Sequence, residues 1–218
     1  MVINKPHGLL VHRSRIARDA DVFALQLLRD QIGQKVYLAH RLDRKTSGLL
    51  LFAKSPEVNR YLQAQFREQQ VEKVYHAIVR GFIDAQGEID YPLTNEGKTQ
   101  DAQTAYHLLE QLEVPVPFGG FKTSRYSLVE LKPKHGRFHQ LRKHMAHIYH
   151  PIIGDRPHGC NKQNRLWKNE FNQTRMLLHA KTLTFELPNQ KKLILDANYS
   201  PEFAAALEML RHFPAHNY

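Results

Sequence analysis

Residues 40–53 constrain the fold of this chain more than any other stretch. The polar sequence HRLDRKTSG runs directly into the apolar sequence LLLFA. An apolar run of this length after a turn predicts a buried strand, and Gly48 suits the tight passage from loop to strand. We therefore expect Asp43 beside the interior, where Arg41 and Arg44 favour its ionised form. A carboxylate held in this way can serve as a nucleophile or base, although a structural ion pair would give the same pattern.

The rest of the chain predicts strands and helices in mixed order. Helices are expected over 19–32, with an aspartate cap and a glycine stop, over 55–69, and from residue 200 onward. Strands are expected at 2–6, 73–83, 125–131, 178–187 and 192–197, and residues 84–122 are expected to form loops around one strand near 104–112. Because no strict βαβ repeat appears, this order indicates an α+β fold with a mixed sheet.

The charge balance favours a polyanionic partner. Lys and Arg number 31 against 21 acidic residues, a formal net charge of +10. Such an excess suits a nucleic acid, although many basic proteins bind none. The single cysteine, Cys160, excludes an internal disulfide framework and fits a reducing cytosol. No apolar run is long enough to cross a bilayer, so we expect a cytoplasmic protein without a membrane partner.

A basic stretch without acidic residues lies between Glu130 and Asp155. Apolar residues recur in it at helical spacing and predict an amphipathic helix that begins just after Arg137 and projects its basic groups. The apolar set is Phe138, Leu141, Met145 and Ile148, and the lysines and arginines are Lys132, Lys134, Arg137, Arg142 and Lys143. This surface suits an RNA backbone, and a solvated charged face is the alternative.

Five histidines in the same stretch invite a metal interpretation, which we do not favour. They are His135, His139, His144, His147 and His150. A catalytic zinc commonly has three protein ligands, often including a carboxylate, and no acidic residue is nearby. We therefore expect no metal. The chain also has no glycine-rich phosphate loop and no nucleophile elbow, so we expect no nucleotide cofactor and no common serine hydrolase.

Several ordered motifs resemble those of RluA-type pseudouridine synthases. The HRLDRxTSG string is similar to the signature of that family, and the resemblance extends over nearly the whole chain. The further matches are NKPxG at 4–8, KxY at 73–75, VxG at 79–81, GRxHQLR at 136–142, HPIIGD at 150–155 and LLHA at 177–180. The resemblance implies an isomerase that converts uridine in RNA to pseudouridine. It also implies a mostly antiparallel sheet in two halves, with flanking helices and a central catalytic cleft.

The family's roles carry over to matching positions. The resemblance implies that Asp43 is the nucleophile, that Tyr75 stacks on the target base and assists proton removal, and that Arg142 pairs with Asp43. By itself, Tyr75 in mid-strand would be interpreted as a core aromatic. Leu178 would line the pocket, and Arg41 would help to hold the opened RNA. A carboxylate can attack the sugar C1′, or assist glycal formation, without any cofactor.

The basic stretch would supply contacts to the RNA outside this pocket. We expect these contacts from Lys134, Arg137, His139 and Lys143, because phosphate contacts dominate the affinity of most proteins for nucleic acids. The expected partner is RNA, and tRNA in particular. The protein is expected to act as a monomer.

Within the family, LVHRS at 10–14 and RDQIGQ at 29–34 look most like the tRNA pseudouridine-65 synthase subgroup. We expect one catalytic domain over 1–218 with two subdomains, no S4-type domain, and without the N-terminal strand usual in relatives. Three alternatives are a synthase for ribosomal RNA or several RNAs, a non-catalytic RNA chaperone on the same fold, and a basic hydrolase or metal enzyme. An intact set of Asp43, Tyr75 and Arg142 argues against the chaperone.

Overall fold

The computed structural model describes residues 1–13 and 21–213 of the chain. These residues form five helices and eleven strands, and the expected α+β class is confirmed. In chain order the elements are β1 (Val2–Lys5), α1 (Ala24–Ile32), β2 (Tyr37–Leu38), β3 (Ser47–Ala53), α2 (Pro56–Arg67), β4 (Glu72–Arg80), β5 (Gln86–Asp90), β6 (Leu93–Asn95), β7 (Lys98–Gln100), β8 (Gln103–Val114), β9 (Ser124–Pro133), α3 (Gln140–His147), α4 (Asn161–Phe171), β10 (Leu178–Glu186), β11 (Lys192–Asp196) and α5 (Pro201–Arg211). No helix in this described part is long and apolar enough to cross a membrane.

The chain divides into two compact units. The first unit comprises Met1–Lys73 and Ala180–Ser200, and the second comprises Val74–His179 and Pro201–Tyr218. In the first unit, β1, β3 and β10 are neighbours in that order, with β2 paired to β3 and β11 paired to β10. In the second unit the order is β4, β9, β8, β5, and β6 forms a separate hairpin with β7. The pairs β1–β3, β2–β3, β10–β11, β4–β9, β5–β8, β6–β7 and β8–β9 run antiparallel, which agrees with the mostly antiparallel sheet that the family resemblance implied.

The apolar run after the polar loop is the central strand of the first unit. Every residue of β3 is buried, so both faces of this strand are covered. Gly48 has φ +107, and a Cβ there would lie 2.3 Å from the carbonyl oxygen of Ala180. Any larger residue would collide with that backbone, which explains the glycine at the entry to the strand. Next along the chain, the Ser55 side chain accepts a hydrogen bond from the Val58 amide and caps α2, as predicted.

Helix α1 is shorter than predicted. We expected a helix over 19–32 with Asp19 or Asp21 as its cap. Residue 19 lies outside the described residues. In the structure Phe23 occupies the cap position, and it makes no side-chain hydrogen bond there. Phe23 is only 1% exposed, and the Ala24 amide donates to the carbonyl of Leu10. Packing of Phe23 and this backbone bond therefore set the start of the helix. The predicted stop at Gly33 is confirmed, with φ +64.

The prediction of one strand within 84–122 is wrong, because four strands occupy this region. The hairpin of β6 and β7 has three residues in each strand, and most of them are exposed. In these short strands Leu93 is the one buried residue, so they lack the alternation of apolar residues by which strands are recognised. Helix α4 was not predicted either. It is anchored by Trp167, which is 1% exposed and packs edge-to-face on Tyr126.

Candidate active site

The Asp43 loop connects β2 to β3 in the first unit. Leu42 points into the protein and is 9% exposed, Asp43 is half-buried, and Arg41 is exposed. The Thr46 amide donates to the Asp43 carbonyl at 3.1 Å and closes the turn. The loop therefore holds a carboxylate at the boundary between interior and solvent, as the sequence predicted.

A buried ammonium group ties this loop to the N-terminal segment. Lys5 is 0% exposed, and its Nζ donates to the carbonyls of Pro6 at 2.9 Å, Leu9 at 2.9 Å and Arg44 at 3.1 Å. The Gly8 amide also donates to the Arg44 carbonyl at 2.9 Å. Carbonyl oxygens thus accept all three protons of the ammonium group. One of these carbonyls is that of Arg44, which follows Asp43 in the chain. The NKPxG motif was visible in the sequence, but the position of its lysine was not.

The pH dependence of stability should report this buried lysine. Burial lowers the pKa of Lys5 from 10.5 to about 8, and the charge of Asp43 opposes this effect only in part. Between pH 8 and pH 10.5 the unfolded chain therefore holds more protons at Lys5 than the folded protein does. We expect the unfolding free energy of the wild type, relative to Lys5→Met, to increase with pH by roughly 3 kcal/mol across this window. Urea unfolding at several pH values measures this difference, and a difference that does not change with pH would contradict the lowered pKa of Lys5.

His40, at the start of the loop, acts as a neutral acceptor. Its Nε2 accepts a hydrogen bond from the Leu51 amide at 3.1 Å, and its ring stacks on Phe66 with a centroid distance of 4.8 Å. Desolvation lowers the pKa of His40 to about 4, so the ring is uncharged at neutral pH. This histidine fixes the loop to β3 and is unsuited to proton transfer at neutral pH.

Tyr75 and Leu178 lie in the second unit, at one apolar cluster. Tyr75 is half-buried in β4, opposite Leu131 of β9. Leu178 is 3% exposed and belongs to the buried cluster against which Tyr75 packs. The structure thus brings together the two residues that the family resemblance assigned to the base pocket.

Arg142 is buried, which corrects the expectation that it projects from a basic helix face. Its side chain is 5% exposed and its partner Asp155 is 1% exposed. The Nε donates to Oδ2 of Asp155 at 2.8 Å, and Nη2 donates to Oδ1 at 2.8 Å. This is a bidentate ion pair, the strongest geometry between these groups. Asp43 belongs to the first unit, and its expected pairing with Arg142 stays a prediction.

Asp155 is itself held by α4. Asn164 donates from Nδ2 to the Asp155 carbonyl at 2.7 Å and accepts from the Gly154 amide at 2.9 Å. Gly154 has φ +79, and a Cβ there would lie 2.0 Å from the Arg175 carbonyl oxygen. The sequence showed the motif HPIIGD, but sequence reasoning missed Asp155 as a site residue because its partners come from α3 and α4.

Helix α3 begins at Gln140, two residues later than predicted. His139 precedes it with φ +55, a left-handed conformation, and Phe138 lies outside the helix with 51% of its surface exposed. Phe138 therefore does not face the core, whereas Leu141 and Met145 do, as predicted.

The expected RNA contacts all lie in the second unit, and three of them donate to neutral oxygens. Lys134 Nζ donates to Oε1 of Gln103 at 3.0 Å, and Arg137 Nε donates to the Asp101 carbonyl at 3.0 Å. Lys143 Nζ donates to the Thr94 carbonyl at 3.1 Å. The hydrogen bonds of Arg137 and Lys143 to neutral carbonyls orient these side chains without cancelling their charge. His139 Nδ1 lies 2.9 Å from His158 Nε2.

Two histidines of the basic stretch attach α3 to the segment before β6. His144 is fully buried, and its Nε2 lies 3.0 Å from the Tyr91 carbonyl, to which it donates, while Nδ1 lies 3.0 Å from Thr104 Oγ1. Burial lowers the pKa of His144, which favours a neutral ring with its proton on Nε2. The His147 ring stacks on Tyr91 at 3.7 Å. Among the residues that the structure describes, no group of three His, Cys, Asp or Glu side chains could hold a metal ion.

Known proteins share both the sequence and the fold. A tRNA pseudouridine synthase C from Vibrio parahaemolyticus is 48% identical over 91% of this chain and 86% of its own length. One of the same name from Salmonella typhimurium is 46% identical over 95% of this chain and 85% of its own length. The solved structure of Human RNA Pseudouridylate Synthase Domain Containing 4 is 26% identical, with a TM-score of 0.74 over 96% of this chain and 89% of that one.

Another solved structure, Human RNA Pseudouridylate Synthase Domain Containing 1, shares the fold, with a TM-score of 0.72 at 24% identity over 98% of this chain and 91% of that one. The family model described as RNA pseudouridylate synthase matches residues 1–147, more than half of the chain. These matches agree with the HRLDRxTSG loop and the six other motifs. The chain therefore belongs to the RNA pseudouridylate synthase family, the RluA-type isomerases that convert uridine in RNA to pseudouridine.

Proposed function

We propose that this enzyme isomerises a uridine of tRNA, at position 65, with Asp43 as the nucleophile. The observation that carries the reaction is the rigid loop that holds Asp43 half-buried, joined through Lys5 to the N-terminal segment. The substrate class is supported by relatives named tRNA pseudouridine synthase C that match most of this chain. Position 65 is supported by the motifs LVHRS and RDQIGQ, which resemble that subgroup.

The chemistry requires the uracil ring to detach, turn and reattach. The bond between N1 and C1′ breaks, either by attack of Asp43 on C1′ or through a glycal that Asp43 assists, and C1′ then bonds to C5. Formation of the C5–C1′ bond releases Asp43 wherever it is attached to C1′. The hydrogen on C5 then leaves as a proton, with Tyr75 assisting its removal, and N1, which has lost its bond to C1′, takes up a proton. Atoms and electrons balance within the substrate, so the proposal needs no metal or redox cofactor.

The proposal assigns each remaining site residue a role in binding. The target base leaves its stack at a cost of a few kcal/mol and enters a pocket lined by Tyr75 and Leu178. Arg142, held by Asp155, pairs with the Asp43 carboxylate, and Arg41 holds the opened RNA. Lys134, Arg137, His139 and Lys143 bind phosphates. The enzyme would act as a cytoplasmic monomer, without a membrane partner or a nucleotide cofactor.

Removing single lysines should change the salt dependence of tRNA binding. Each lysine that binds a phosphate releases a condensed counterion, so Lys134→Ala and Lys143→Ala should each weaken binding and lower the slope of log K against log salt by about 1. Lys192→Ala is the matched control, because this exposed lysine binds Glu72 in the first unit. An unchanged slope in both variants would place the RNA on another surface.

The substrate is tested by release of tritium from RNA labelled at uridine C5. The wild type would be incubated in parallel with unmodified tRNA, with the same tRNA carrying cytidine at position 65, and with ribosomal RNA. We expect release from the first RNA alone. Release from ribosomal RNA would make the enzyme a ribosomal or multi-substrate synthase. Tight tRNA binding without release would favour the chaperone alternative.

A further inference from the structure

Phe138 is an exposed aromatic ring in a fixed position. It lies immediately before α3, and 51% of its surface is accessible to solvent. Its ring is stacked on that of His139, with centroids 3.7 Å apart and an interplanar angle of 21°. His139 has a left-handed backbone, and its Nδ1 lies 2.9 Å from Nε2 of His158. The hydrogen bond to His158 holds the His139 ring, and the stack in turn orients Phe138.

One cation lies beside this ring, and another directly precedes Phe138 in the chain. The Nζ of Lys143 lies 5.7 Å from the ring centroid of Phe138 and donates to the Thr94 carbonyl. Arg137 precedes Phe138 in the chain, and its Nε donates to the Asp101 carbonyl. An aromatic platform flanked by cations is the arrangement with which proteins bind unstacked nucleotides, since the ring stacks on a base and the cations contact the phosphates.

We propose that Phe138 is a stacking platform for a second nucleobase, one that flanks the target uridine in the opened RNA. Lys143 and Arg137 contact the phosphates beside that base. Because every base has a π-face, this subsite would tolerate different bases and contribute affinity with little sequence preference. The inference deepens the proposed function and rests on it, since an RNA with a flipped-out uridine must be the ligand.

Phe121 is a matched control for an exposed phenylalanine. It is 66% exposed in the turn between β8 and β9. Its cationic neighbour Arg125 lies 6.0 Å from the ring centroid, but this arginine is paired with Glu113 at 3.0 Å. The charge of Arg125 beside Phe121 is therefore compensated by a carboxylate.

The experiment measures tRNA affinity at several salt concentrations for Phe138→Ala, Phe138→Leu, Phe138→Tyr and Phe121→Ala. We expect Phe138→Ala and Phe138→Leu to weaken binding by roughly 5- to 100-fold at every salt concentration, with the salt slope unchanged. Phe138→Tyr keeps an aromatic ring and should bind like the wild type, as should Phe121→Ala. Thermal unfolding of each variant confirms that it is folded.

The inference is overturned if Phe138→Ala binds like the wild type, or if the leucine variant binds as well as the tyrosine variant. It is likewise overturned if the Phe138→Ala variant loses affinity together with a lower slope of log K against log salt. Phe138 would then act only through the neighbouring cations. Release of C5 tritium by the wild type tests the proposed function independently of the stacking platform. Release by the wild type, with full affinity in Phe138→Ala, would leave the isomerase in place and remove the platform.

Discussion

Asp43→Asn is expected to lower the rate of pseudouridine formation by roughly 10⁴-fold or more, the scale of loss when a nucleophile is removed. The amide cannot attack C1′ or assist glycal formation, although it has nearly the same shape as the carboxylate. The affinity for tRNA should change little, because phosphate contacts at other residues dominate it. Single-turnover kinetics and direct binding measure the two quantities separately.

Asp30→Asn is the matched control for this substitution. Asp30 is an exposed carboxylate of α1 that binds its neighbour Arg29 at 2.7 Å. Surface pairs of this kind contribute little, so both rate and affinity should stay at the wild-type level. If Asp43→Asn lost affinity together with activity, Asp43 would be a structural ion-pair residue of the loop, the alternative that its sequence context left open.

Asp155→Asn is the second change with a large expected effect. It leaves the guanidinium of Arg142 buried with its bidentate partner neutralised, which should destabilise the protein by about 3–5 kcal/mol. The rate should fall as well, because Arg142 is then no longer held in one orientation. Asp30→Asn is again the control, since this exposed carboxylate pairs with the exposed Arg29 and should matter by at most about 1 kcal/mol.

A double variant separates the structural role of this ion pair from its role in catalysis. Arg142→Met combined with Asp155→Leu replaces two buried charges by apolar groups of similar size, an exchange that is often neutral or stabilising. We expect the double variant to be more stable than Asp155→Asn in urea unfolding and still to lack activity. Activity in a stable double variant would show that Arg142 serves only the fold.

Local sequence signals were sufficient for several elements of the fold. The strand β3 and the cap of α2 were predicted because an apolar run and a Ser-Pro pair act over only a few residues. The start of α3 was misplaced for a reason that is also local. Phe138 has the spacing of a helical core residue, but His139 adopts a left-handed conformation and takes Phe138 out of the helix.

Long-range contacts decide the features that the sequence did not predict. Lys5 is separated by 39 residues from Arg44, whose carbonyl accepts one of its protons. Likewise, the bidentate partner of Arg142 comes from a loop that α4 holds in place, and α4 is a polar helix whose buried residues are Gln163 and Trp167. Burial of a charged side chain is set by such distant partners, and composition alone predicts the opposite, an exposed lysine and an exposed arginine.

The most direct test of Asp43 as the isomerising nucleophile is tritium release from C5-labelled tRNA by the wild type and by Asp43→Asn. Bonding of C5 to C1′ expels the hydrogen on C5, so release reports the reaction itself. We predict stoichiometric release by the wild type and none above background by the variant, with both binding the tRNA equally. Release by a folded Asp43→Asn at a rate near that of the wild type would contradict the assignment of Asp43.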